Sequence, residues 1–252
     1  MNQDSNFPQP TLTIPIDLRN PGQFFACCGL LELAHRVWGT AALGWFDQGE
    51  FFLHVPDQDE ASVSETLMQL LRTMTFRAAD EKDSGSPILI DMGEYGEYRA
   101  DWWLKTVHDS SLRTWGNGTS YKLFTSLCQE STKADDIVAG FELTANMKAR
   151  LSVDPRSSWT AIDAGFSPND QNFGVATFPL IEFLAGIGLQ RNRPFLRGGI
   201  GHYIAWLSPL PSPLATTAKL TLPLTEAVLY RFELASRGQM TRYFTYAIEG
   251  EN

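Results

Sequence analysis

Histidine and cysteine are scarce in this chain of 252 residues, four and three in number. Neither type is arranged for chemistry. His35, His54, His108 and His202 form no HExxH or HxH pair, and no Cys/His spacing matches a zinc site. Cys27 and Cys28 are adjacent in an apolar run, and Cys128 stands apart. They read as small core residues of a reduced protein. No GxxxxGK[ST] loop is present to cradle phosphate, and no GxSxG elbow to raise a nucleophile. Arg197-Gly198-Gly199-Ile200-Gly201 is glycine-rich but has neither the dinucleotide spacing nor a strand–helix context, so it reads as a turn. No cofactor and no metal are expected. Apolar runs such as 24–31 are far too short to span a bilayer. The opening MNQDSNFPQP has no basic segment and no apolar stretch, so it is no secretory signal. A cytoplasmic location is expected.

What is present is a globular composition, 43% hydrophobic and 12% aromatic. Its length suits one large or two small domains. The net charge of −9 is unevenly spread. Residues 1–100 carry all of the excess acid, and residues 101–252 are balanced. From Phe183 to Thr225 the charged side chains are Arg191, Arg193, Arg197 and Lys219, all basic. A local basic patch is expected there, in a protein that repels phosphate at long range.

Residues 1–10 read as a disordered lead-in. The segment 11–18 alternates as a strand, and Asn20-Pro21 then caps and opens a helix over 22–39 that Gly39 ends. Two short strands over 43–55 are joined by a three-residue loop, Asp47-Gln48-Gly49. A helix over 63–74, capped by Ser62, and a strand over 86–93 complete a β-α-β-β-α-β order. The fold class is therefore α+β, with a ferredoxin-like (RRM-like) unit over 11–95. The remainder, 96–252, reads as a β-rich α+β part packed on it, which would accommodate a second ferredoxin-like unit. Within it we expect helices over 119–132 and 178–191. Strands are expected over 138–144, 149–154, 218–224, 227–236 and 240–249 and in HYIAWLSPLP, with a loop over 156–174. The last two strands are joined by Arg237-Gly238-Gln239. The helices 22–38 and 178–190 share a leading proline and an internal Gly-Leu.

Arg191, Arg193 and Arg197, with Tyr203 and Trp206 nearby, offer cations and rings of the kind that hold single-stranded nucleic acid. A second such region holds Trp102, Trp103, Lys105, Arg113, Trp115 and Lys122. In both, the rings read equally as core residues. Asp154, Asp163 and Asp170 flank a loop and could gather a divalent ion, although their spacing matches no metal loop. Hydrogen bonding of the carboxylates to loop amides is the plainer reading. His202, after the glycine run, is the histidine best placed for function, and Gly198–Gly201 could border a ligand pocket.

Three stretches carry a resemblance: NPGQFFACCGLLELA at 20–34, AIDAGFSPND at 161–170, and Pro179 with EFLA, GIGLQ and Arg193-Pro194 over 182–194. LRTWG at 112–116, after Trp102-Trp103, fits with them. Together they resemble the third of the Csb proteins, a large-subunit-like protein of CRISPR subtype I-U, now I-G. The resemblance implies a non-catalytic subunit of a crRNA-guided antiviral effector. Such a subunit would contact other effector subunits and crRNA or target DNA, and no membrane. It implies that the loop residues Asp163, Gly165, Phe166, Ser167, Pro168 and Asp170 form a structural motif. Arg191, Arg193, Arg197, Lys105, Arg113 and Lys122 are the expected nucleic-acid contacts. The alternatives are a metal-dependent nuclease using Asp154, Asp163 and Asp170, or a CRISPR-associated regulatory or acquisition factor.

Overall fold

The computed structural model describes residues 7–83, 85–105, 112–115, 119–157, 175–217, 226–237 and 241–250. The first strand, β1 (Leu12–Pro15), leads to α1 (Pro21–Trp38). Asn20 starts that helix as expected, its side chain accepting from the Gln23 amide at 3.3 Å. The hairpin β2 (Leu43–Asp47) and β3 (Glu50–His54) follows, then α2 (Glu60–Thr73). The β2–β3 loop has two residues rather than three, because Asp47 still pairs with Glu50. Gln48 and Gly49 turn the chain with φ of 45° and 85°. Helix α2 begins earlier than the sequence suggests. Asp59, not Ser62, caps it, accepting from the Ser62 amide at 2.8 Å.

Strands β1, β3 and β2 form an antiparallel sheet in that order. A ferredoxin-like sheet would add its fourth strand beside β1. The strand expected over 86–93 is β5 (Ile88–Asp91), and it lies elsewhere. It sits between β4 (Thr75–Ala78) and β6 (Glu97–Ala100) in a second antiparallel sheet. The second half contains α3 (Ser120–Ser131), α4 (Ile137–Glu142), β7 (Ala145–Met147), β8 (Val175–Thr177) and α5 (Pro179–Arg191). Then come β9 (Phe195–Arg197), β10 (Ile200–Trp206), α6 (Ser212–Thr217), β11 (Ala227–Arg237), β12 (Thr241–Phe244) and β13 (Ile248–Glu249). Strands β7 and β8 pair with each other, and β9 to β13 make a further antiparallel sheet built around the long β11.

Two expected strands are not strands. Where the strand over 138–144 was expected the chain is helical to Glu142, because the Asp136 carboxylate caps α4 at the Ala139 amide, 2.7 Å away. Residues 151–154 are buried without pairing, and the strand lies earlier, at β7. The expected strand over 240–249 is broken into β12 and β13. The expected strand over 218–224 lies outside the described residues, as do residues 238 and 239 of the last loop and most of the loop 156–174.

At the centre, α1 crosses α5. Every residue from Pro21 to Ala34 and from Pro179 to Leu189 is buried. Helices apolar on all sides require this, since no face can be left to water. The crossing is tight enough to exclude a methyl group. A Cβ on Gly29 would lie 2.0 Å from the Leu184 carbonyl oxygen, and one on Gly188 would lie 2.0 Å from that of Phe25. The N-terminal ends of the two helices meet around Asp154 and their C-terminal ends at Glu32 and Arg191, so they run in the same sense.

Candidate functional site

Each buried central helix carries one carboxyl group, and the two define separate polar centres. Glu32, on α1, is fully buried. One of its oxygens accepts from Arg36 Nε and from Arg191 NH2, both at 3.2 Å. The other accepts from the Ser212 hydroxyl at 2.7 Å. This bonding ties α1, α5 and α6 together. Beside it Tyr98 lies under the Arg36 guanidinium at 5.0 Å and donates to the Ile187 carbonyl at 2.9 Å. Burial, with Glu32 nearby, pushes the Tyr98 phenol far above its ordinary range.

Glu182, on the first turn of α5, is also fully buried. Its Oε1 accepts from the Val153 and Asp154 amides, both at 3.2 Å. Its Oε2 has no hydrogen-bond partner among the described residues. Burial, and then the neighbouring Asp154 carboxylate, push the Glu182 carboxyl up to about 7. Asp154 is itself buried. It accepts from Asn20 Nδ2 at 2.9 Å and holds Arg156 with NH2 at 2.7 Å. Arg156 in turn stacks over the Phe178 ring at 3.5 Å. Asn20 thus does two jobs, capping α1 and tethering Asp154.

Arg191 and Arg193 sit at the end of α5. Arg191 is tied to Glu32, and Arg193 donates to the Leu104 carbonyl at 2.9 Å. That bond brings Arg193 next to the exposed Lys105. The side chain of Arg197 lies outside the description. Arg113 stacks on Trp115 at 5.3 Å, and Lys122 is exposed on α3. The rings read as stacking platforms are core. Tyr203 and Trp206 are buried and donate to the carbonyls of Leu18 and Gly44. Trp102, Trp103 and Trp115 form a buried nest with centroids 5.3–5.9 Å apart. Cys27 and Cys28 are buried, and burial pushes their thiols well up.

Asp163, Gly165, Phe166, Ser167, Pro168 and Asp170 lie outside the described residues. Of the three aspartates considered for a metal, only Asp154 can be placed, and its oxygens are taken by Asn20 and Arg156. Among the described residues no group of three or more His, Cys, Asp or Glu is gathered to hold an ion. The run Gly198-Gly199 is the hairpin turn between β9 and β10, with φ of 60° and 85°. Beside it Ile200, Arg231, Phe232, Tyr246 and Ile248 line an open cavity of about 310 Å³. His202 faces Arg231 across β10 and β11 and is half-buried.

Glu32 and Glu182, which organise these centres, are not among the residues singled out in the sequence. Their signal was in plain view: a lone acid inside an otherwise apolar helical run must find donors or hold a proton. The fold defines an α+β protein organised on two crossed helices, buried over 21–34 and 179–189. No helix among the described residues is long and apolar enough to cross a membrane. Compared with protein-family models, curated proteins and solved structures, the chain matches none.

Proposed function

We propose that this chain is a non-catalytic, cytoplasmic subunit of a type I-G (formerly I-U) CRISPR effector. It would bind other effector subunits and, within the complex, contact crRNA or target DNA. One observation supports the reading most directly: two of the stretches that carry the resemblance, 20–34 and the run from Pro179, pack against each other. The run 20–34 is the start of α1 and the run from Pro179 is α5. The two cross at Gly29 and Gly188. The stretch 161–170 lies outside the described residues. A motif shared for its fold would place its least replaceable residues at such a crossing. The β1-β3-β2 order is also the order of three strands of a ferredoxin-like sheet, and we read the first unit as a variant of that plan.

The test is a pull-down of the tagged chain expressed with the rest of such a system and a CRISPR array. Co-purification of other subunits with processed guide RNA is the expected result. Recovery of the chain alone would remove the subunit reading and favour a regulatory or acquisition role. The nuclease alternative is tested in the same preparation with manganese. Cleavage that Asp154→Asn abolishes would establish it. The ion pair from Asp154 to Arg156 is the observation that weighs against it.

A further inference from the structure

The basic residues at the end of α5 continue into a larger surface that the sequence does not reveal. Arg36, at the end of α1, shares a Glu32 oxygen with Arg191. Its NH1 also donates to the Glu97 carbonyl at 3.3 Å. The Glu97 carboxylate holds Arg77 at 2.6 Å. Two residues along β6, Arg99 is held by Asp101 at 3.0 Å. Asp101 is fixed in turn by Gln190, the neighbour of Arg191, through Nε2 at 3.0 Å. Arg193 closes the series on the Leu104 carbonyl. The backbone register places Arg77 and Arg99 on either side of Leu89, on one face of the β4-β5-β6 sheet. Across two strand spacings that is about 10 Å. Both are well exposed, at 64% and 57% of the side chain, and Arg191 at 42%.

We infer that this ladder of five arginines is a binding surface for the phosphodiester backbone of a single-stranded nucleic acid. The inference rests on the effector-subunit reading for its biological setting, but its chemistry stands on the ladder alone. A guanidinium held by a carboxylate on one edge keeps its other N–H groups free to fork onto a phosphate. Glu32 serves two guanidiniums with one oxygen, which leaves cationic charge in excess at that point. The carboxylates along the ladder are Glu32, Glu97 and Asp101. Asp91, in the next row of the same sheet face, is turned to the Gly93 amide at 2.9 Å. The ring that lies against the ladder, Tyr98 under Arg36, is buried with its hydroxyl on the Ile187 carbonyl, so it offers bases no stacking platform. Contact is therefore to backbone, without base preference. The acidity of the chain limits binding to close range, because charges beyond about 8 Å are screened at physiological salt.

The probe is a fluorescently labelled single-stranded RNA of mixed sequence, titrated with the purified full chain at several salt concentrations. The wild type should bind, with affinity falling as salt rises. The double variant Arg77→Ala/Arg99→Ala should weaken binding roughly 10- to 100-fold at low salt and reduce the log–log salt slope by about 1.4. Both residues are exposed, so their loss should leave the melting temperature unchanged. Glu97→Gln should tighten binding, and Arg72→Ala, an exposed arginine outside the ladder, should leave it unchanged. No binding by the wild type up to about 100 µM at low salt, or equal affinity in wild type and double variant, overturns the inference. Retained RNA binding with loss of a co-expressed protein subunit would also overturn it, by making the ladder a protein interface. If the chain binds RNA through the ladder yet co-purifies with no effector, the inference stands and the subunit reading falls.

Discussion

Glu32 and Glu182 occupy comparable places and live in opposite circumstances. Each is the sole acid of a helix buried on every side, and each is fully shielded from water. Glu32 is met by two guanidiniums and a hydroxyl, so every oxygen has a donor. Glu182 is met by two amides and by another acid, with the Arg150 charge further off, and one oxygen has no partner among the described residues. Burying a carboxyl is costly in either case, and the neighbours decide how the cost is met. At Glu32 compensating charge is supplied from two elements and a neutral hydroxyl from a third. At Glu182 the proton is instead held to higher pH. The residue type sets the problem, and the elements packed around it set the answer.

The largest effect should come from breaking both centres at once. Gly29→Val places a branched side chain where even a methyl meets the Leu184 carbonyl, and it must push α1 from α5. A cost on the order of 5 kcal/mol, near the whole stability of many domains, is expected. Loss of cooperative unfolding by circular dichroism would register it, whereas a normal transition would mean that the crossing yields easily. Next, Glu32→Ala breaks the compensated centre alone and strands Arg36 and Arg191, with an expected loss of about 3–5 kcal/mol by urea denaturation. A loss below about 1 kcal/mol would show that the two arginines escape to solvent.

Glu182→Gln should act in the opposite direction. The Glu182 carboxyl is raised from the usual 4.5 to about 7 in the fold. Between those values the native state binds the proton more tightly than the unfolded chain. Stability from this group is therefore complete below pH 4.5 and is lost as pH rises through 7, by about 3 kcal/mol in all. The glutamine variant should be the more stable protein at pH 8 and should flatten this part of the profile. Stability of the wild type that rises from pH 5 to 8, unchanged in the variant, would place the proton elsewhere. The smallest effect belongs to Ser212→Ala, which takes one neutral donor from Glu32 and should cost about 1 kcal/mol. A thermal melt of matched samples would measure it.

Helix α1 was legible because its signals are local: Asn20 and Pro21 at one end, Gly39 at the other, and an apolar run between. The β2–β3 hairpin was legible for the same reason. The β4-β5-β6 sheet was not, since a strand such as β5 shows its pattern without naming its partner. Around α4, Ala139, Phe141 and Leu143 alternate as in a strand while Ile137 and Phe141 are spaced as in a helix, and the Asp136 cap decided for helix. Tyr203 and Trp206 share their sequence character with exposed stacking rings. Only their bonds to Leu18 and Gly44, remote in sequence, reveal them as core. The arginine ladder was invisible for that reason too, its members coming from α1, β4, β6 and the end of α5.

The α1–α5 crossing also sets a timetable for synthesis. Glu32 and Arg191 are 159 residues apart in the chain, and Gly29 and Gly188 are separated equally. At typical elongation rates α1 waits roughly 8–30 seconds for its partner to be made. Through that interval a helix apolar on every side has no face to offer water. The nascent protein should therefore lean on chaperones until α5 emerges, and fragments that stop short of Pro179 should aggregate rather than fold.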